Sequence, residues 1–215
     1  MTKELCCARK INKDAALLVV VDMQDKILKV MSRRLELVNA VEKLVKGFRI
    51  LDVPLLFTQQ YTKGLGPTAE EIVEAATMIV DTSEDNITTA SENPINTTQI
   101  LEPAKFTFVE KHAFSVVGEP DFNRELKRYE ATDIIVCGIE THVCLQQSVL
   151  DFLEQGYNVF VAADGCSSRT EVDYERSLSR MEAAGAVITT VESILFELLE
   201  DAKNPKFKEI SKLVK

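Results

Sequence analysis

A doubly wound, mostly parallel six-stranded α/β sheet, covered by helices on both faces, is the fold this sequence predicts. Two observations carry the prediction. Six short β-rich runs recur along the chain, several of them continuously apolar, as strands buried on both faces read. Amphipathic segments alternate with most of these runs, and a repeated strand–helix–strand pattern implies parallel pairing. A third observation agrees: 215 residues, 46% hydrophobic and 27% charged, suit one sizeable folded domain with a real core.

The elements follow in order. The run "ALLVVVD" (16–22) leads to "RLELVNAVEKLVKGFRIL" (34–51), where Leu37, Val41, Leu44, Val45 and Phe48 share one helical face. A second run, "VPLLFTQ" (53–59), is followed by the turn-rich "TKGLGPT", and the polar stretch "DTSEDNITTASENPINTTQILEP" is expected to wrap the surface. Next come "FTFVEK" (106–111), the helical "DFNRELKRYE" (121–130), "DIIVCG" (133–138) and a helix after Cys144. The runs "YNVFVAAD" (157–164) and "AVITTVE" (186–192) flank the helical "TEVDYERSLSRMEAAG" (170–185). Gly156 and Gly185 stand where helices should stop before a strand. The result is a Rossmann-like three-layer α/β/α domain over 1–215, with 1–13 expected to be flexible. The tail "SILFELLEDAKNPKFKEISKLVK" either covers the sheet or forms an interface.

Composition excludes several function classes. The formal charge is −9 and no basic run exceeds "SRR" at 32–34, so nucleic acid is not an expected partner. No stretch reaches the roughly 18–20 apolar residues of a membrane span. The first residues, "MTKELCCARKINKDAA", lack a signal peptide's apolar core, so a cytoplasmic location is expected, with organellar import left open. Five cysteines, at 6, 7, 137, 144 and 166, are odd in number and sparse, which fits reduced thiols.

In an open α/β sheet the chemistry sits beyond the carboxyl ends of the strands. Three of those ends carry reactive groups: Asp22 after the first run, Lys111 at the edge of the third, and Cys144 six residues beyond Gly138. Taken singly, each has a plain role as a cap, a solvated charge or a buried hydrophobe. Together they make chemical sense. A thiol with a pKa of about 8.5 is mostly protonated at neutral pH, and a lysine cation and a helix N-terminus would both favour its thiolate. A nearby carboxylate could take the proton and later return it to a leaving group.

The order Asp…Lys…Cys in "VVVDMQ", "KHAFS" and "CGIETHVCLQQS" resembles the isochorismatase-like cysteine hydrolase superfamily. Further similarity in "QQYTKGLGPT", "AADGCSSR" and "RMEAAGAVITTVESILFELL" resembles its isochorismatase domain-containing branch. The resemblance implies that Asp22, Lys111 and Cys144 are catalytic, that the Ile139–Glu140 peptide is cis, and that the backbone N–H groups of Glu140 and Cys144 form an oxyanion hole. It also implies a homo-oligomer, a dimer or larger.

Departures from the family narrow the reading. Metal-binding nicotinamidases carry a D-x-H-x-x-H-type stretch after the second strand, where this chain reads "TQQYTKGLG" without Asp or His. No metal and no cofactor are therefore expected. His142 need not face Cys144, and His112 should point away from Lys111 across its strand. Gln24, Gln60, Tyr61, Phe114 and Thr141 are candidate substrate-pocket residues by their nearness to the motifs, as is Glu140. The expected reaction is hydrolysis of an amide or other C–N bond of a small molecule through an acyl-enzyme. A nicotinamidase-like amidase, or a silent or redox-sensing scaffold, are the alternatives.

Overall fold

The computed structural model describes residues 9–78 and 106–215. Within them lie strands β1 Ala16–Val21, β2 Leu55–Gln60, β3 Phe106–Lys111, β4 Asp133–Ile139, β5 Asn158–Ser167 and β6 Val187–Thr189. They form one sheet in the order β3-β2-β1-β4-β5-β6, parallel throughout. The helices are α1 Asp25–Leu28, α2 Arg34–Ile50, α3 Thr62–Leu65, α4 Glu70–Thr77, α5 Pro120–Arg128, α6 Gln146–Glu154, α7 Glu171–Ala184, α8 Val191–Leu199 and α9 Phe207–Val214.

Alternation along the strands builds two cores. Leu18, Val20, Leu55, Phe57, Ile135 and Phe160 pack against α2, α4, α8 and α9. Leu17, Val19, Leu56, Ile134, Val136 and Val161 pack against α5, α6 and α7. Both faces of β1 and β4 are thus dry, which is why their sequences are continuously apolar rather than alternating.

Several boundaries differ from the sequence reading, each for a local reason. A bulge between Val136 and Gly138 lets β5 run on to Ser167, pairing Cys166 with Gly138 and Ser167 with Ile139. β6 stops at Thr189 because Thr190 caps α8, its hydroxyl accepting from Ser193 N–H. The turn-rich stretch after β2 holds the short α3, and α4 follows it with Ile72 and Ala75 buried in the α2 layer. The polar segment 81–103 and residues 1–8 lie outside the described residues. Ile11 is buried, and Asn12 N–H donates to Asp133 Oδ2 at 2.7 Å, fastening the chain just before β1. The tail packs as α8 and α9 on the α2 layer, burying Leu195, Leu198 and Ile210.

This strand order reverses between β1 and β4. Connections leave the sheet in opposite directions there and open a crevice beyond the strand ends.

Candidate active site

Asp22 is the first residue past β1, in a left-handed conformation with φ 51°. Its N–H donates to Thr58 O at 3.2 Å, and its Oδ1 accepts from the Thr58 hydroxyl at 2.8 Å. Lys111 ends β3, in register with Gln60 of β2. Its Nζ lies 2.7 Å from Asp22 Oδ2, with both side chains fully buried. The same ammonium donates to Gln60 Oε1 at 2.5 Å, Phe114 O at 3.0 Å and Ala113 O at 3.2 Å. Burying two charges is costly unless they are paired and their polar atoms are satisfied. Here three neutral oxygens take the lysine's N–H groups. Asp22 Oδ2, ion-paired with the cation, has no hydrogen-bond partner among the described residues. It is the oxygen left to accept another proton.

Cys144 lies in a π-helical turn, Thr141–Leu145, immediately before α6, and is 7% exposed. Its thiol is pushed up to about 12, first by burial and then by the Asp22 charge, while Lys111 pulls the other way. A side-chain interaction with Asp22 adds to the upward push, and one with Lys111 opposes it. Lys111 does favour the thiolate, as expected, but burial and the Asp22 charge outweigh it. In the resting site burial and the carboxylate win, and the sulfur keeps its proton.

The turn carrying Cys144 is tied to the loop carrying the lysine's acceptors. The Ser148 hydroxyl donates to Cys144 O at 2.6 Å and accepts from Val116 N–H at 3.0 Å. One helical turn on, Asp151 accepts from the Ser115 hydroxyl at 2.5 Å. Upstream, the Ile139–Glu140 peptide is cis. Gly138 precedes it with φ 116°, and a Cβ there would meet Val21 O at 2.1 Å, so β1 and β4 approach where only glycine fits.

A cavity of about 420 Å³ borders Cys144, walled by Ile27, Val30, Leu65, Phe114 and Val143. Lys26, Gln60, Glu140 and Arg169 supply its polar groups. Of the candidate pocket residues, Gln60, Phe114 and Glu140 therefore line it. Gln24 does not: it is fully buried, its Nε2 donating to Gln60 O and Gly66 O while its Oε1 accepts from Gln60 N–H. It braces the residue that holds Lys111. Tyr61 is half exposed with its ring beside His112, and Thr141 is fully buried with an unpartnered hydroxyl. A second cavity, about 360 Å³, borders Asp164, Cys166 and Val191 and contains none of the three strand-end groups.

The two histidines are engaged away from Asp22, Lys111 and Cys144. His112 is exposed, and the backbone N–H groups of His112 and Ala113 converge on Glu119 Oε1. His142 Nδ1 lies 3.0 Å from the Ser168 hydroxyl. Arg169, Lys26 and Thr58 went unnoticed in the sequence. Arg169 follows the end of β5, in "AADGCSSR", where the strand-end rule would have found it had the strand been extended past Asp164. Lys26 belongs to the short α1 directly after Asp22. Thr58 carries no sequence signal, since a threonine inside an apolar strand reads as filler.

The family pattern of the isochorismatase domain matches residues 16–193. The chain is 35% identical over 206 residues to isochorismatase domain-containing protein 2 of Xenopus laevis, covering 95% of this chain and 86% of that one. It is 33% identical over 202 residues to isochorismatase domain-containing protein 2 of Homo sapiens, covering 94% and 83%. Among solved structures it is similar to the MAR1 ribonuclease of Caenorhabditis elegans, with 32% identity, a TM-score of 0.78, and 96% and 92% of the two chains covered. It shares its fold with YcaC of Escherichia coli, an octameric hydrolase of unknown specificity, at 21% identity and a TM-score of 0.77, covering 95% and 88%. The strand order, the strand-end cluster and these likenesses agree, and the chain belongs to the isochorismatase family.

Proposed function

We propose that this protein is a cysteine hydrolase that cleaves an amide or other C–N bond of a small molecule through an acyl-enzyme, without a metal ion. The observation that carries the reading is the buried Asp22–Lys111 pair acting on the Cys144 thiol, which itself lines a cavity of ligand size. The stretch that would hold a metal in nicotinamidases reads "TQQYTKGLG" here, without Asp or His.

In this reading Asp22 takes the Cys144 proton as sulfur attacks the carbonyl carbon. The oxyanion rests on the N–H groups of Glu140 and Cys144, donors worth about 2.7–4 kcal/mol each where they point at developing charge. Collapse breaks the C–N bond, and Asp22 gives its proton to the leaving amine. Water, losing a proton to Asp22, attacks the thioester. The C–S bond then breaks, sulfur leaves toward Lys111, and Asp22 returns the proton to it. Lysine is thus the thiolate's counter-ion in both half-reactions. A thiol that titrates near 12 suits this division of labour, since thiolate forms only as substrate accepts it. The octameric neighbour supports a homo-oligomer for this single-domain chain, and its composition supports a cytoplasmic setting.

The test is turnover of a panel of small amides, ureido compounds and nicotinamide by the wild type and Cys144→Ala. A substrate cleaved by the wild type and spared by the variant is the expected result. Equal turnover by both would end the proposal.

A further inference from the structure

Glu140 occupies an awkward place in the proposed site. Its backbone N–H is assigned to the oxyanion, yet its own side chain is a carboxylate lining the same cavity. A fixed negative charge there opposes the negative charge that the reaction builds. The cavity walls are largely apolar, which lengthens the reach of an unpaired charge.

Arg169 meets that carboxylate. Its Nε donates to Glu140 Oε1 at 2.8 Å, the two side chains being 57% and 17% exposed. The pair links the residue after β4 to the segment after β5. That segment is itself anchored: Ser168 meets His142, the Ser32 hydroxyl donates to Ser168 O at 2.8 Å, and the Ser167 hydroxyl donates to Ser32 O at 2.6 Å. The arginine therefore springs from fixed backbone, although its side chain reaches toward solvent. An ion pair this exposed contributes little to folding, so its consequence should be sought in the chemistry.

We propose that Arg169 is a positioning residue whose guanidinium neutralises the Glu140 carboxylate and keeps the oxyanion site beside Cys144 free of opposing charge. The assignment rests on the cysteine-hydrolase reading. Its competitor is an arginine that simply recruits anionic substrates.

The probe is neutral 4-nitrophenyl acetate, with the anionic hemisuccinate ester beside it. Acetyl transfer forms the C–S bond and breaks the ester C–O bond, nitrophenolate leaves, and the thiol proton passes to Asp22. Arg169→Met should lower kcat/KM for the neutral ester about tenfold, with the loss in kcat rather than KM. Adding Glu140→Gln should recover most of it, and Arg169→Lys should retain most of it. Loss confined to the anionic ester, no loss at all, or no recovery in the double variant would each overturn the proposal. If wild-type acetylation does not need Cys144, the hydrolase reading fails instead. Iodoacetamide labelling of Cys144 at pH 9 then decides alone. About threefold slowing in Arg169→Met, reversed by Glu140→Gln, supports neutralisation, and an unchanged rate refutes it.

Discussion

Two ion pairs stand at this sheet edge, nearly equal in length and opposite in physics. Lys111–Asp22 measures 2.7 Å with both side chains sealed from solvent; Arg169–Glu140 measures 2.8 Å with the arginine more than half exposed. Distance alone would rank them together. Burial separates them, because an uncompensated charge in a dry site costs several kcal/mol whereas one at the rim is rehydrated. The inner pair is bound up with folding as well as with the proposed chemistry, and the outer pair should matter to that chemistry alone.

The comparison is tested most severely at Asp22. Asp22→Asn keeps the shape but removes the proposed base, and turnover should fall by roughly 10²–10⁴. The same change removes the negative charge that holds the Cys144 proton, so the thiol should titrate below about 12 and iodoacetamide labelling at pH 8 should speed up. Unchanged or slower labelling in that variant would mean that the Asp22 charge does not hold the thiol's proton.

Lys111→Met breaks the inner pair directly. It leaves a buried carboxylate alone and should cost about 3–5 kcal/mol in urea unfolding. The double variant Asp22→Asn with Lys111→Met should recover part of that loss, since no charge is then stranded.

The thiols give a smaller, pH-dependent effect. Cys137, Cys144 and Cys166 all titrate above their ordinary range because burial disfavours the thiolate. A folded-state pKa raised above the unfolded one stabilises at low pH, and the contribution is lost as pH climbs. Stability should therefore fall from about pH 8.5 upward, by roughly 1.4 kcal/mol per pH unit per thiol. For Cys144 the decline continues toward pH 12, and Cys144→Ala should flatten the slope by one thiol's share. Urea midpoints at pH 8, 9 and 10 would show it. Smallest of all, Arg169→Met should leave the urea midpoint within measurement error. A clear fall there would erase the contrast between the two pairs.

The fold was legible because burial on both faces writes itself into β1 and β4 as unbroken apolar runs. Asp22 and Cys144 could be singled out because each follows such a run, and Lys111 because it ends the third strand. The strand-end rule then puts them at one edge, although they lie far apart along the chain. What sequence could not show was the sign of the electrostatic balance at Cys144. That sign depends on how dry the thiol is and how its proton meets Asp22, and neither is a property of residue spacing. Gln24 misled for a related reason: its position beside Asp22 suggests substrate contact, yet its amide is spent on backbone groups. Arg169 stayed hidden because a bulge prolongs β5, and a bulge leaves little trace in an apolar pattern.

The strand order also bears on how the chain comes to be folded. β1 lies alongside β4, and the bond from Asn12 to Asp133 spans 121 residues of sequence. The two centremost strands must therefore close a long loop before they can pair, a step that comes late in folding. During synthesis, the segments bearing the carboxylate and the ammonium emerge ahead of the thiol. Until β4 docks, Cys144 titrates as an ordinary exposed thiol and carries more thiolate at neutral pH than it does in the finished protein. The incomplete fold, rather than the finished protein, is then expected to be the form more open to oxidation at Cys144.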